Sequence, residues 1–253
     1  MRHEYIKFCK IISMDFVVTI PVYNEEKILE ENTIKLLNFL KKKFTDEIWE
    51  IIISDNNSSD NTSKIGKALA QAHEEIGYFF VQEQGKGSAV VRAWQSRQAD
   101  IYTFMDADLA THLDAFPGLL AAVRGGDYDV ACGSRFLKGS SVNRSILRKC
   151  TSLGYRALVK VFLGIKTKDL PCGFKAVTKK VVDEIIPQVQ DGGWFFDSEL
   201  IILSEKNGFK IKEIPVQWRE PVETGRKSKV KIWSLSKSYV KKILQMKRRL
   251  NAE

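Results

Sequence analysis

The sequence of 253 residues has no apolar run long enough to cross a membrane and no recognisable leader. Its longest apolar stretches, 118–123 and 157–165, fall far short of the roughly 18 residues that a spanning helix requires. Residues 1–14 lack both the apolar run and the small-residue cleavage site of a secretory signal. We therefore expect a cytoplasmic protein that spans no membrane, in which 1–14 forms an N-terminal extension.

Cysteine is scarce, and the common glycine-rich fingerprints are absent. The four cysteines form neither a CxxC pair nor a zinc-finger spacing; they are Cys9, Cys132, Cys150 and Cys172. This pattern is typical of reduced thiols in a cytosolic protein. The sequence also lacks the GxGxxG and P-loop patterns. Dinucleotide-dependent oxidoreductases and P-loop nucleotidases are therefore disfavoured.

The positive charge is concentrated at one end of the chain. The sequence carries 40 basic and 31 acidic residues, a formal net charge of +9. Ten basic residues and no acid lie in 226–249, whereas the residues before 226 carry 30 of each sign. A neutral body with a basic tail indicates a local anionic partner. We expect no nucleic-acid binding, because no aromatic stacking platform accompanies the charge.

Short apolar strands alternate with amphipathic helices, which predicts an α/β fold with a mostly parallel sheet flanked by helices. Strands are predicted at 15–21, 49–54, 78–82, 101–105, 129–134 and 211–216. Helices are predicted at 29–43, 59–75, from the turn at 85–87 to 94, 117–124, 146–163 and 177–186. The main domain is expected to span 15–225 and to be followed by a basic amphipathic tail, 226–253.

Four polar clusters follow the predicted strands, at 21–25, 55–60, 85–86 and 106–108. In an open α/β sheet, ligands bind at the edge formed by the carboxyl ends of the strands. A single cluster is explained equally well by an ordinary loop or a helix cap. Four clusters at one edge favour a binding site.

The last of these clusters places two carboxylates, Asp106 and Asp108, on alternate positions. Hard cations such as Mg²⁺ and Mn²⁺ prefer oxygen ligands and are often held by one or two carboxylates plus substrate phosphates. The alternative is a solvated loop in which one aspartate caps the next helix. The side chains of 55–60 suit a base edge and ribose hydroxyls. Lys86, between two glycines, offers a positive charge to phosphate.

Together these motifs resemble family 2 glycosyltransferases of the GT-A fold. The resemblance covers about the first 140 residues and rests on 21–25 (Pro-Val-Tyr-Asn-Glu), 54–62, 85–90, 106–108 and 133–135 (Gly-Ser-Arg). In the second half, 172–175, 194–199 and 228–230 resemble the polyprenyl-phosphate branch, which contains dolichyl-phosphate glucose and mannose synthases. The glucose pattern fits best, because Ala110 stands where mannose synthases usually have a glutamine that helps to hold the metal.

The resemblance implies a role for each matching residue. It implies that Asp106 and Asp108 bind Mg²⁺ or Mn²⁺ and the diphosphate. It implies a nucleotide-sugar site lined by Pro21, Tyr23, Asn24, Glu25, Asp55, Asn57, Lys86 and Asp106. It implies an acceptor or phosphate site formed by Arg135, Arg148 and Lys229. The implied catalytic set is Asp106, Asp108, Arg135 and Asp197.

Asp197 has two interpretations. In family members that glycosylate a hydroxyl, an acid in this region acts as general base. A lipid phosphate is already ionised near neutral pH, so Asp197 would instead orient the acceptor or a donor hydroxyl. A cap for the helix that follows Asp197 is an equally good explanation.

The basic tail has an apolar stripe at helical spacing, formed by Ile232, Leu235, Tyr239, Ile243, Met246 and Leu250. A basic amphipathic helix of this kind lies in a membrane interface and is attracted by anionic lipids. Alternatively, the stripe packs on the body of the protein and leaves a solvated basic face.

The function implied by the resemblance is inverting transfer of a hexose to a polyprenyl phosphate at the cytoplasmic face of a membrane. The donor is expected to be a UDP- or GDP-hexose, with UDP-glucose favoured over GDP-mannose. Two alternatives stay open. One is transfer to a sugar or protein hydroxyl, and the other is a non-catalytic module associated with a membrane.

Overall fold

A computed structural model describes residues 14–143, 146–219 and 232–251, and for 143, 146–150 and 232–237 it describes the backbone alone. The described strands are β1 (Met14–Val22), β2 (Trp49–Asp55), β3 (Ile76–Phe80), β4 (Ala99–Met105), β5 (Val130–Ser134), β6 (Ser141–Asn143), β7 (Phe174–Thr178), β8 (Ile211–Pro215) and β9 (Gln217–Arg219). The helices are α1 (Leu29–Lys43), α2 (Thr62–Ala72), α3 (Lys86–Gln95), α4 (Phe116–Arg124), α5 (Ile146–Leu163), α6 (Lys179–Glu184), α7 (Phe196–Lys206) and α8 (Ile232–Leu250).

Seven strands form the main sheet in the order β3-β2-β1-β4-β7-β5-β8, and β6 pairs with β9 in a small second sheet. Within the described chain, every pairing of the main sheet is parallel except those of β7, which runs antiparallel to both β4 and β5. The predicted α/β class with a mostly parallel sheet flanked by helices is therefore confirmed.

Strand β7 corrects the prediction of a helix at 177–186. The strand ends at Thr178, and a shorter helix, α6, begins at Lys179. Val177 and Ala176 are fully buried in the strand between two neighbours. A short apolar run followed by a helix has no period of its own, so the sequence pattern does not separate the two elements.

The core lies on both faces of the sheet because side chains alternate along each strand. On β1, Phe16 and Val18 face a cluster formed with α1 and α4, whereas Val17 faces a cluster formed with α3, α5 and α7. The fold is therefore a sheet covered by helices on both sides. The free edge formed by the carboxyl ends of the strands carries the polar loops.

Helix α8 belongs to the second of these layers. Its Ile243 and Met246 are buried in the core cluster with α5 and α7, and Tyr239 and Leu250 pack against that cluster. The apolar stripe of the tail therefore packs on the body wherever its side chains are described, which is the second of the two alternatives raised for it. Ile232 and Leu235 lie outside the described side chains.

In the part of the chain that the structure describes, no helix combines the length and apolarity that a membrane crossing requires. Cys132 and Cys172 are buried free thiols, and burial raises the pKa of Cys172 to about 12. The expected reduced state is consistent with this environment. Cys9 lies outside the described part of the chain, and the side chain of Cys150 is not described.

Candidate active site

The loops that follow β1, β2 and β4 lie side by side at one edge of the sheet. Strand β1 is paired with β2 on one side and with β4 on the other, and Val22 at its end is level with Asp55. Residues 23–26 therefore lie between the 55–60 loop and the turn at Asp106. The order of the strands in the sheet therefore brings these polar clusters together at one edge, as the sequence predicted.

The loops after β1 and β2 are held together through Asn24. Its backbone NH donates to Ser58 Oγ (3.0 Å), and its side-chain oxygen accepts the NH of Ser59 (2.7 Å). Asn24 adopts a left-handed backbone (φ 54°), which asparagine tolerates better than most residues. The neighbouring Glu25 NH donates to Thr62 Oγ1 (2.7 Å). Asn24 thus fixes the shape of the predicted nucleotide pocket.

Asp55 lies at the end of β2 and is fully buried. Its carboxylate accepts the hydroxyl of Tyr78 (2.7 Å) and the NH of Ser58 (3.0 Å). Burial, together with the hydrogen bond to Asp55, raises the pKa of Tyr78 to about 12. Both carboxylate oxygens of Asp55 are therefore engaged within the protein. In this arrangement Asp55 shapes the pocket, and the exposed side chains at the same edge include Tyr23 and Asn57.

Asn56, which the sequence reading did not single out, connects this pocket to α3. Its side chain donates to the carbonyl of Glu83 and accepts the NH of Gly85. Gly85 has a φ of 140°, a region that other residues rarely adopt. The first residue of α3, Lys86, is thereby fixed relative to the end of β2.

The glycines around Lys86 make room for protein backbone. The NH groups of Gly87 and Ser88 donate to the carbonyls of Gly193 and Gly192, at 3.2 and 2.9 Å. A Cβ on Gly87 would lie 2.6 Å from the carbonyl oxygen of Asp191. These glycines therefore let the backbone of 191–193 approach closely, and that segment occupies the space beside them.

The ammonium group of Lys86 joins two aspartates that are far apart in sequence. Its Nζ lies 2.8 Å from Asp106 Oδ1 and 2.9 Å from Asp197 Oδ2. Burial lowers the pKa of Lys86, but the two carboxylates outweigh it and raise the pKa above its usual value. For Asp197 the signs are reversed: burial raises the pKa of the carboxyl group, but the positive charges of Lys86 and Lys175 outweigh burial and hold the pKa below its usual value. Both groups are therefore charged at neutral pH.

Asp197 is the second residue of α7 and is almost completely buried. Its carboxylate contacts the two lysines, and α7 has no side-chain hydrogen bond at its N-cap. The helix-cap explanation for Asp197 is therefore wrong. An acid whose oxygens both contact ammonium groups also has little tendency to accept a proton.

Asp106 is the exposed end of this network, with 42% of its side chain accessible to solvent. Its backbone NH donates to the carbonyl of Gly173 (3.2 Å). A Cβ on Gly173 would lie 2.6 Å from Asp106 Oδ1, so the glycine leaves the space that the carboxylate occupies. Asp108 follows in the same turn and accepts the NH of Ala110 through Oδ1 (3.1 Å).

These two carboxylates suit Mg²⁺ or Mn²⁺, because both cations prefer oxygen donors and Asp106 is reachable from solvent. Within residues 14–143, 146–219 and 232–251, no cluster of three or more His, Cys, Asp or Glu side chains is positioned to hold a metal ion. A pair of carboxylates fits a cation that completes its coordination with substrate oxygens and water, as Mg²⁺ commonly does.

Arg135 follows β5 and forms a double ion pair with Asp169, which is fully buried. Its Nε and Nη2 donate to the two oxygens of Asp169, each at 2.7 Å, and its guanidinium carbon lies 5.7 Å from the centroid of the Trp218 ring. Burial lowers the pKa of Arg135, and Asp169 more than restores it. The structure therefore fixes Arg135 firmly. Lys229 lies outside the described residues, and the side chain of Arg148 is not described.

Four residues to which the sequence assigned no individual role support the site: Asn56, Asp169, Lys175 and Trp194. A lysine flanked by apolar residues in Phe174-Lys175-Ala176-Val177 was a usable signal, because a buried lysine must be paired. Asp169 lies in the irregular segment between α5 and β7, where the sequence has no periodic pattern that would indicate a buried position. Trp194, half exposed, has its ring centroid 5.7 Å from Lys86 Nζ.

The fold is that of GT-A glycosyltransferases. Glucosyl-3-phosphoglycerate synthase from Mycobacterium tuberculosis, solved with Mn²⁺, UDP and glucosyl-3-phosphoglycerate, superposes with a TM-score of 0.68. The superposition covers 92% of this chain and 80% of that protein at 19% sequence identity. At this identity the likeness establishes the fold alone.

The model of glycosyl transferase family 2 matches residues 17–186, so the chain belongs to this family. The dolichyl-phosphate β-glucosyltransferase of Saccharomyces cerevisiae is 31% identical in an alignment of 223 residues that covers 80% of this chain and 66% of that protein. Glycosyltransferase AglD of Haloferax volcanii is 30% identical over 208 residues, 82% of this chain and 33% of that protein. The predicted resemblance to the dolichyl-phosphate branch is confirmed. The chain spans one third of AglD and just under two thirds of the yeast relative.

Proposed function

We propose that the protein transfers a hexose from a nucleoside-diphosphate sugar to a polyprenyl phosphate, with inversion at the anomeric carbon. UDP-glucose is the favoured donor, ahead of GDP-mannose. The observation that carries the proposal is the exposed Asp106 carboxylate beside the charged Lys86, at the ligand-binding edge of a family 2 domain. The relatives named dolichyl-phosphate β-glucosyltransferase support the lipid phosphate and the glucose.

In this proposal the donor diphosphate lies against Asp106, Asp108 and Lys86. The two carboxylates would hold Mg²⁺ or Mn²⁺, which when bound neutralises charge on the departing diphosphate. Lys86 contributes a fixed positive charge 2.8 Å from Asp106 without having to move. Tyr23, Glu25 and Asn57 are proposed to contact the nucleotide, and Pro21 and Asn24 are proposed to shape its site.

The burial of Asp197 supports an acceptor that needs no general base. A base must come within hydrogen-bonding distance of the proton it removes. Asp197 is buried, and each of its oxygens contacts a lysine. A hydroxyl acceptor would require deprotonation, whereas a lipid phosphate is ionised at neutral pH. The phosphate is proposed to attack in line, with Arg135 near its negative charge.

A donor screen tests this function. Purified protein is incubated with Mn²⁺ or Mg²⁺, a short polyprenyl phosphate and either UDP-glucose or GDP-mannose, and glycolipid is followed by mass spectrometry. We expect product with UDP-glucose and less or none with GDP-mannose. Product only with a soluble sugar or peptide acceptor would replace the lipid phosphate by a hydroxyl. Absence of nucleotide binding would favour a non-catalytic module.

The proposal extends to a peripheral position at the cytoplasmic face of a membrane. Helices α5 and α8 pack on each other, and neither contains an acidic residue. Both helices expose apolar and basic side chains, which together we call the α5–α8 surface: Lys160, Val161, Val240, Lys241, Leu244 and Arg248. Such a surface suits anionic lipid headgroups, with each basic residue contributing about 1 kcal/mol.

Vesicle sedimentation tests the α5–α8 surface. The protein is expected to bind vesicles containing phosphatidylserine and not vesicles of phosphatidylcholine alone. Reversing two charges, in Lys241→Glu with Arg248→Glu, should weaken binding by about tenfold or more. The matched control, Lys42→Glu with Lys64→Glu, changes exposed lysines of α1 and α2 on the other helical layer. An equal loss of vesicle binding in both double variants would argue against this surface. So would binding of the protein to vesicles that contain no phosphatidylserine.

A further inference from the structure

Lys175 is a buried lysine whose three ammonium donors are all used. It lies in β7, between β4 and β5, and is completely inaccessible to solvent. Its Nζ donates to the carbonyls of Leu170 (2.9 Å) and Cys172 and lies 3.2 Å from Asp197 Oδ1. A buried lysine is costly unless it is paired and hydrogen-bonded in this way. The predicted site contained no role for it.

A chain of ion pairs with alternating charge connects Lys175 to Asp106. Asp197 accepts Lys175 at Oδ1 and Lys86 at Oδ2, and Lys86 in turn contacts Asp106. The order Lys175, Asp197, Lys86, Asp106 is therefore positive, negative, positive, negative. The first three members are buried, and Asp106 alone reaches solvent.

Hydrogen bonds to the backbone of the segment before β7 connect Lys175 to Asp106 a second time. Lys175 holds the carbonyls of Leu170 and Cys172, and the adjacent Gly173 accepts the NH of Asp106 through its own carbonyl. Gly173 also provides the space for the Asp106 carboxylate. One ammonium group is thus connected both to the side chain and to the backbone of Asp106.

We infer that Lys175 is a positioning residue that anchors Asp106 from the interior. It acts through Asp197 and Lys86 on the carboxylate and through Gly173 on the main chain. What Asp106 then does with metal and diphosphate rests on the proposed function. The anchoring itself depends only on contacts within the protein.

A double-mutant cycle on the unfolding free energy tests the anchoring without any ligand. Lys175→Met leaves the four-residue chain with a net negative charge, and Asp106→Asn leaves it with a net positive charge. Combining them leaves the neutral pair Asp197 and Lys86. The double variant should therefore lose less stability than the sum of the single variants. Contacting or coupled residues depart from additivity in this way, whereas independent sites add.

Additive effects in urea unfolding would overturn the inference, because a lysine that only fills the core has no reason to respond to Asp106. Should Lys175→Met fail to fold, Lys175→Gln replaces it, since the amide keeps donors for the Leu170 and Cys172 carbonyls and removes the charge. Combined with Asp106→Asn, Lys175→Gln is expected to show the same departure from additivity in the unfolding free energy. Additive losses of stability in that pair would equally overturn the inference.

Calorimetric titration of Mn²⁺ in the presence of UDP supplies the second measurement. Lys175→Met should weaken the affinity by about tenfold to a hundredfold, as loss of an outer-shell partner commonly does. Lys212→Met, on the edge strand β8, removes an exposed lysine and should leave the affinity unchanged. Unchanged affinity in Lys175→Met would overturn the inference. Failure of the wild-type protein to bind Mn²⁺ with UDP would count against the proposed function, while the unfolding cycle still decides the anchoring.

Discussion

Replacing Asp106 with asparagine is expected to lower kcat/KM for hexose transfer by about a hundredfold to a thousandfold, the range seen when one preorganised electrostatic group is removed. The substitution keeps the shape of the side chain and removes the charge that would face metal and diphosphate. Asp108→Asn should have an effect of the same order. Steady-state kinetics with UDP-glucose and a polyprenyl phosphate measures both.

The fold should survive these changes, because the side chain of Asp106 is 42% exposed and Lys86 keeps Asp197 as a partner. Asp100→Asn is the matched control, since Asp100 is an exposed aspartate at the opposite end of the same strand, β4. It should retain the wild-type rate. Undiminished turnover by Asp106→Asn and Asp108→Asn would rule out the assignment of the two carboxylates.

Gly173→Ala is expected to reduce kcat/KM by about a hundredfold, the cost that displacement of a reacting group by about 1 Å can carry. A Cβ at this position would lie 2.5 Å from Asp106 Cγ, so the carboxylate has to rotate away. Gly173 does not have a left-handed backbone, so alanine adds no strain of its own. The loss should therefore appear in activity and Mn²⁺ affinity more than in the melting temperature.

Gly154→Ala is the control for this substitution. Gly154 lies on the exposed side of α5, and a Cβ there meets nothing within 4 Å. Alanine in an exposed helix interior stabilises by about 0.5–1 kcal/mol relative to glycine. This variant should melt higher and turn over normally. Equal activity of the two alanine variants would show that Gly173 does not set the position of Asp106.

The sequence predicted the elements of the first half well because each has a clear period and a marked end. The strand before Asp106 and the helix predicted to begin at Pro117 were placed within two residues of β4 and α4. The prediction failed at β7, a five-residue strand followed directly by α6. There the antiparallel partners β4 and β5 decide the conformation, and both are distant in sequence.

The predicted site residues at the ends of β1, β2 and β4 share one edge of the sheet, because parallel neighbours bring their carboxyl ends together. Their individual roles were harder to predict. The glycines beside Lys86 accommodate the 191–193 segment, and Asp55 is engaged by Tyr78 and Ser58. The contact of Tyr78 with Asp55 and that of Gly87 with Gly193 join segments separated by 23 to more than 100 residues in sequence, and no local pattern records them.

What the sequence determined by itself was the α/β class, the family resemblance and the position of the acidic turn, since these depend on local periodicity and on short motifs. Tertiary structure alone decided that Asp197 lies between two lysines, that Arg135 is fixed by Asp169, and that the stripe of α8 faces the core. The physical reason is burial. A charge removed from water must find its partner wherever the fold brings one, and the apolar side of a helix takes the nearest apolar surface that the rest of the chain offers.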